Sequence, residues 1–146
     1  MPIFGNERRD EMRAFFVEAW RRRCEDLPAE PLQVLVADVI ELHPEYHAMF
    51  ENPDAALDRD WTPEQGENNP FLHLGLHIAI REGAAADRPA GIRTLRERLI
   101  AQAGDEHAAE HAMLECLAET LWEAQRAGLP PDERAYLERV RRVLGG

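Results

Sequence analysis

Hydrophobic residues recur every three or four positions along most of the chain, a spacing that places them on one face of an α-helix. The first such stripe consists of Phe15, Phe16, Ala19 and Trp20. No segment alternates apolar and polar residues in the way that a half-buried strand does. Together with capping residues and prolines, the pattern predicts helices over about 7–24, 31–42, 70–82, 89–103, 105–127 and 132–144, with a short helical piece at 44–50.

These segments predict an all-α fold, an up-down bundle of about five to six helices with one long crossover loop. The connections between the later helices are short, and short connections favour antiparallel neighbours. The predicted helices at 70–82 and 105–127 are therefore expected to begin at the same end of the bundle. A length of 146 residues is typical of one domain, so we expect a single helical domain over 1–146.

Proline positions sharpen two helix boundaries. Pro44 cannot lie inside a helix without clashing with the carbonyl group of Ile40, so His43 is expected to lie just outside the second helix. Asn69 and Pro70 are a capping residue followed by the residue type that suits the first helical position. The ten residues after Pro70 carry no charge, so this helix is predicted to be central and buried on all sides. Gly75 within it is expected to permit the close approach of another helix or a ligand.

Residues 51–69 form the longest stretch without a helical pattern, and they are acidic and rich in turn-forming residues. A structureless loop of this length inside a domain is usually a lid or a binding loop. The sequence therefore predicts a long acidic crossover loop, with Trp61 fixing it to the body of the protein.

Composition excludes several classes of protein. Hydrophobic residues make up 45% of the chain and charged residues 31%, as in a water-soluble protein, and no apolar run is long enough to span a membrane. The net charge of −11 argues against sequence-independent binding to nucleic acid or to anionic lipid. Cys24 and Cys116 match no metal-binding spacing, and no secretory signal is evident, so we expect reduced thiols and a cytoplasmic location.

The histidines carry the most specific chemical signal. All six of them fall into pairs with a spacing of four residues: His43/His47, His73/His77 and His107/His111. On a helix this spacing puts both imidazoles on one face, about 6 Å apart at Cβ, where they can bind one metal ion. If the helices run up and down as predicted, chain order brings all three pairs to one end of the bundle.

Glu110 accompanies the third pair and lies on the same stripe as the apolar Leu114, Leu117 and Leu121. Helical bundles build di-iron and di-manganese sites from histidine and carboxylate ligands, although the Glu-x-x-His motif of those proteins is absent. His107–His111 also reads H-x-x-E-H, a metalloprotease motif, but the chain lacks the length and the sheet of that class.

The sequence thus predicts a metal site whose first-choice ligands are His73, His77, His107 and His111. Glu110 or the first pair, His43 and His47, would complete the ligand set, and the metal would be zinc or iron, which these ligands do not distinguish. Two alternatives remain open. One is a metal-free interaction module, a homodimer, with structural histidines. The other is a small hydrolase that uses metal-bound water with Glu110 as the base.

Several segments resemble one uncharacterised bacterial family that is known only as a domain of unknown function. They are ENNPFLHLGLHIAIRE at 67–82, DRPAGIR at 87–93, HPEYH at 43–47 and 106–142, which contains the pattern HxxEHxMxECLxExLWxAQ. The resemblance implies a small helical cytoplasmic protein, and it implies no activity, ligand or catalytic residue. Gly83 stands where a polar residue is expected in that family.

Overall fold

The computed structural model describes residues 5–59 and 69–145. Within these ranges there are α-helices and one 3-10 turn but no strand, so the all-α prediction is confirmed. The helices are α1 (Gly5–Cys24), α2 (Pro31–Glu41), α3 (His47–Glu51), α4 (Pro53–Asp58), α5 (Pro70–Ala86), α6 (Ile92–Ala103), α7 (Glu106–Ala127) and α8 (Glu133–Val143), and the 3-10 turn is Pro44–Tyr46. None of these helices combines the length and the apolarity needed to cross a membrane.

The helix count is slightly higher than predicted because two short helices follow the 3-10 turn. The prediction of a structureless segment over 51–69 is wrong at its beginning, where α4 spans Pro53–Asp58. Pro53 takes the first helical position, where its fixed φ favours a helix, and the composition-based interpretation overlooked this. Trp61, and with it the predicted anchoring of the loop, lies outside the described residues.

Most predicted boundaries are confirmed by their capping contacts. Oδ1 of Asn69 accepts a hydrogen bond from the Phe71 amide at 2.9 Å, and Oδ2 of Asp105 accepts one from the Ala108 amide at 3.0 Å. Gly128 ends α7 in the left-handed conformation, with φ of 67°. His43 lies between α2 and the 3-10 turn, as the position of Pro44 predicts.

Two expectations about α5 are wrong. The helix is not buried on all sides, because Leu72 is 60% exposed. A Cβ atom on Gly75 would have no described atom within 4 Å, so none of the described helices approaches closely at this glycine. The tight position is Gly83, where a Cβ atom would lie 2.9 Å from the carbonyl oxygen of Arg88. A polar side chain at Gly83 would clash with the turn that follows α5.

The chain divides into two compact units, Met1–Leu74 and Gly75–Gly146. In the first unit α1 packs on α2, and Phe16, Val39 and Ile40 belong to its buried core. Arg13 is also buried there, and its guanidinium donates to the carbonyl oxygens of Leu57 and Arg59.

The second unit contains α6, α7, α8 and most of α5. Its core consists of buried apolar residues from all four helices: Ile80, Ile92, Leu95, Leu99, Ala109, Met113, Cys116, Tyr136 and Val140. Arg139 of α8 ties that helix to α7 by donating to Thr120 at 2.8 Å and to Glu123 at 2.7 Å. These contacts hold α8 against the later turns of α7.

Candidate metal centre

Helix α7 presents two histidines and a glutamate within its first two turns. The Asp105 cap starts the helix directly before them, so His107 and His111 project from one face. Their ring centroids lie 4.3 Å apart with an interplanar angle of 51°. The third histidine pair therefore has the geometry that its spacing predicts.

Helix α5 contributes His77 to the same cluster. The imidazole of His77 stacks on that of His107, with centroids 5.4 Å apart and an angle of 7°, and lies 5.0 Å from that of His111. One potential ligand nitrogen from each of the three histidines lies within 4.8 Å of the other two. We call these residues, His77, His107 and His111, the histidine triad.

The triad reaches from the core to the surface. His77 is 1% exposed, His107 is half-buried and His111 is exposed. A ligand held among them would therefore be anchored in the interior on one side and accessible to solvent on the other.

Glu110 lies directly behind His77 and is fully buried. Its Oε1 accepts a hydrogen bond from Nδ1 of His77 at 3.0 Å. Its Oε2 accepts from Nε of Arg81 at 3.0 Å and from Nη2 of Arg96 at 2.6 Å. A buried carboxylate needs such partners, because an unpaired buried charge is strongly destabilising.

The environment of Glu110 keeps it ionised. Burial by itself would raise the pKa of this carboxyl group, but the hydrogen bonds from His77 and Arg96 and the charges of Arg81 and Arg96 outweigh burial and lower the pKa to about 2. Glu110 is consequently a carboxylate at any physiological pH, and its anionic form faces Nδ1 of His77.

The remaining predicted ligands lie in the first unit. His43 is fully buried, and its Nδ1 donates to the carbonyl oxygen of Val39 at 2.8 Å. Its Nε2 lies 3.2 Å from Nε2 of His73. His47 is placed apart from this contact: its Nε2 donates to the carbonyl oxygen of Ile40 at 2.8 Å, and its ring packs on Trp20.

Sequence comparison places the chain in a family. A family model described as a domain of unknown function, DUF1841, matches residues 8–142. The chain belongs to the DUF1841 family. It matches no curated protein and no solved structure.

Sequence reasoning missed the two arginines that hold Glu110 in this DUF1841 chain. One signal was available, because Arg81 follows His77 by four residues and lies on the same face of α5. Arg96 comes from α6, and it also pairs with the exposed Glu106, four residues before Glu110, at 2.7 Å. Its role depends on the packing of α6 against α7, which no local pattern in the sequence reveals.

Proposed function

We propose that this DUF1841 protein binds a transition-metal ion, zinc or iron, through one imidazole nitrogen each of His77, His107 and His111. The observation that carries the proposal is the histidine triad itself: three potential ligand atoms lie within 4.8 Å of one another, and a buried carboxylate holds one of the rings from behind.

The spacing of the triad suits a single ion. Bonds of about 2.0–2.1 Å in a tetrahedral site put two nitrogen ligands roughly 3.3–3.4 Å apart. Nitrogens that already lie within 4.8 Å reach this separation through small side-chain rotations. Since His107 and His111 lie on one rigid helix, binding would require little rearrangement of the backbone.

Glu110 has the arrangement expected of a residue that orients a metal ligand. Metal-bound histidines usually donate their other ring N–H to a carboxylate or carbonyl oxygen, which fixes the tautomer and makes the imidazole a better ligand. The 3.0 Å contact with Nδ1 of His77 fits this role, and Nε2 would be the nitrogen of that ring that binds the metal. Glu110 is thus proposed as a positioning residue.

The same contacts argue against Glu110 as a metal ligand and as a general base. As a metal ligand it would have to release Arg81, Arg96 or His77, which occupy its two oxygens. As a general base it would need a pKa near neutrality, whereas its pKa is lowered to about 2. The hydrolase alternative would therefore require a different base.

Three protein ligands leave at least one coordination position open. Catalytic zinc sites have this composition, with water in the fourth position, whereas structural sites use four protein ligands. The exposed side of the triad, at His111, is where such a water would lie. A contribution of His43, His47 or His73 to the ligand set stays a prediction from the sequence.

Elemental analysis of protein purified without a histidine tag tests the proposal. We expect about one zinc or iron ion per chain in the unmodified protein, and His107→Ala combined with His111→Ala should remove it. His47→Ala is the matched control, since it also deletes a histidine but leaves the triad intact. Circular dichroism verifies that each variant is folded. Full metal content in the folded double variant, or an unmodified protein that takes up neither metal, would overturn the proposal.

A further inference from the structure

A second feature of the second unit is a cavity that the two arginines holding Glu110 help to line. Where α5 ends and α6 begins, a cavity of about 240 Å³ is lined by three arginines. These are Arg81, Arg93 and Arg96, and the rest of the lining consists of Ala84, Ala85 and Glu97. Three arginines and one glutamate therefore line this cavity, in a chain whose net charge is −11.

The three guanidinium groups have donors to spare. Each carries five N–H groups. Arg81 uses Nε on Glu110, and its Nη2 lies 3.6 Å from Glu106, beyond hydrogen-bond distance. Arg96 uses Nη2 on the same two carboxylates. Among residues 5–59 and 69–145, neither Nη atom of Arg81 has a hydrogen-bond acceptor, and neither does Nη1 of Arg96. Nε of Arg96 also has none there, but this atom is buried.

Arg93 is held in place by the end of α5. Its Nε donates to the carbonyl oxygen of Ala84 at 2.9 Å, and its Nη2 donates to that of Ala85. These two bonds fix the guanidinium at the cavity, and in the described parts of the chain its Nη1 has no acceptor. Asp87 is a nearby carboxylate that could compete with a ligand for the Arg93 guanidinium, but its Oδ1 accepts hydrogen bonds from the backbone amides of Gly91 and Arg93.

We propose that this cavity binds the phosphate group of a small molecule. Planar guanidinium groups donate pairs of hydrogen bonds that match the oxygens of phosphate, and arginines recur wherever this group is recognised. The volume is below the roughly 300–1,000 Å³ of sites for drug-sized ligands, so the ligand is inorganic phosphate or a small phosphate monoester. The site is separate from the proposed metal ligands, and it does not depend on a bound metal.

Isothermal titration calorimetry with inorganic phosphate and with glycerol 3-phosphate tests this site. Arg93→Gln is the informative variant, because Arg93 does not contact Glu110, and we expect it to weaken binding about tenfold or more through the loss of a charged hydrogen bond. Arg98→Gln is the matched control, an exposed arginine of the same helix whose replacement changes the net charge equally. Arg93→Lys, which keeps the charge but not the planar fork, should bind with intermediate affinity.

A phosphate oxygen is also a metal ligand, so the titrations are repeated after treatment with a chelator. Tighter binding of glycerol 3-phosphate than of inorganic phosphate would identify a phosphate monoester as the ligand, and the reverse order would identify the free ion. Two outcomes would mean an adventitious ion only and overturn the proposal. One is an equal loss of phosphate binding in Arg93→Gln and Arg98→Gln. The other is phosphate binding that is abolished by sodium chloride at the ionic strength of the phosphate solution.

Discussion

Oε1 of Glu110 lies 3.0 Å from Nδ1 of His77, and both side chains are buried from solvent. This contact connects the candidate metal centre to the ion pairs of the second unit, since the same carboxylate also binds Arg81 and Arg96. The orientation of His77 therefore depends on a charge network that three helices supply.

Replacing Glu110 by glutamine should weaken both stability and metal binding. The amide keeps the shape of the side chain but removes the buried anion that two largely buried guanidinium groups, each 17% exposed, share, which costs about 3 kcal/mol or more. Loss of a carboxylate partner of a metal-bound histidine typically lowers metal affinity about 10- to 100-fold. Chemical denaturation of the metal-free protein and competition with a fluorescent zinc chelator measure the two effects separately.

Glu106→Gln is the matched control for this substitution. Glu106 pairs with the same two arginines, at 3.6 and 2.7 Å, but its side chain is 54% exposed. Exposed ion pairs contribute about 1 kcal/mol at most, so this variant should lose little stability and no metal affinity. Equal effects of the two substitutions would show that Glu110 does not orient His77.

Local features of the chain were predictable because they depend on neighbours in sequence. The caps at Asn69 and Asp105 and the break at Pro44 follow from backbone geometry alone. The spacing of His107 and His111 likewise fixes their shared face, and their rings do lie together. The sequence therefore predicted most of the helices and the shared face of His107 and His111, two of the three triad histidines.

The partners of the second histidine pair were not predictable in this way. His73 and His77 share a face of α5, but residues four apart are separated by about 6 Å along the helix, so each ring has different neighbours. His73 lies against His43, whereas His77 stacks on His107. The packing of the helices, and not the spacing of four residues, therefore determines which histidine each of these two rings contacts. The arginine partners of Glu110 depend on helix packing in the same way.

The tautomer of His43 is a consequence of its backbone contact. Because Nδ1 lies 2.8 Å from the carbonyl oxygen of Val39, this nitrogen carries a proton, and in a neutral imidazole Nε2 is then the acceptor. His73 must then donate through its own Nε2 across the 3.2 Å that separates the two nitrogens. Long-range ¹H–¹⁵N correlation spectra of metal-free protein should show His43 as the Nδ1–H tautomer. An Nε2–H tautomer would contradict this network.

The two cysteines should differ sharply in reactivity. Both are free thiols, but Cys24 is exposed, whereas Cys116 is buried in the core of the second unit. Burial raises the pKa of the Cys116 thiol, and the nearby Glu115 and Glu119 raise it further, so it forms little thiolate. A disulfide reagent at pH 8 should modify Cys24 rapidly and Cys116 only when the protein unfolds. Cys24→Ser should remove the rapid phase, and a rapid phase that survives would place Cys116 at the surface.

Glu18 should titrate at unusually low pH. Hydrogen bonds from Arg21 and Arg22 on the next turn of α1 lower its pKa from the ordinary 4.5 to about 2. A lowered folded-state pKa stabilises the protein above about pH 4.5, and this contribution is lost as the pH falls towards 2. The ¹³C chemical shift of the Glu18 carboxyl carbon, followed as a function of pH, measures the midpoint of its titration. Arg21→Gln should raise it, and so should added salt because the pair is exposed. A midpoint that stays the same in Arg21→Gln and in added salt would contradict the interaction of Glu18 with Arg21.

The cap of α7 links helix formation to the candidate metal centre. Asp105→Ala removes the acceptor for the Ala108 amide and should cost about 1 kcal/mol. Because His107 lies in the first turn of α7, fraying of that turn would also displace a proposed ligand and reduce zinc affinity. Asp132→Ala is the matched control, since Asp132 caps α8 through the Ala135 amide at 3.1 Å and α8 carries no histidine.

Both cap variants should therefore lower the melting temperature of metal-free protein by similar amounts, but only Asp105→Ala should also weaken zinc binding. Zinc consequently stabilises this variant less than it stabilises the Asp132→Ala protein, because ligand binding raises stability in proportion to the logarithm of its affinity. Thermal unfolding with and without zinc provides the comparison. If zinc stabilised the two variants equally, the position of His107 would not depend on the cap, and the first turn of α7 would have to be held by other contacts.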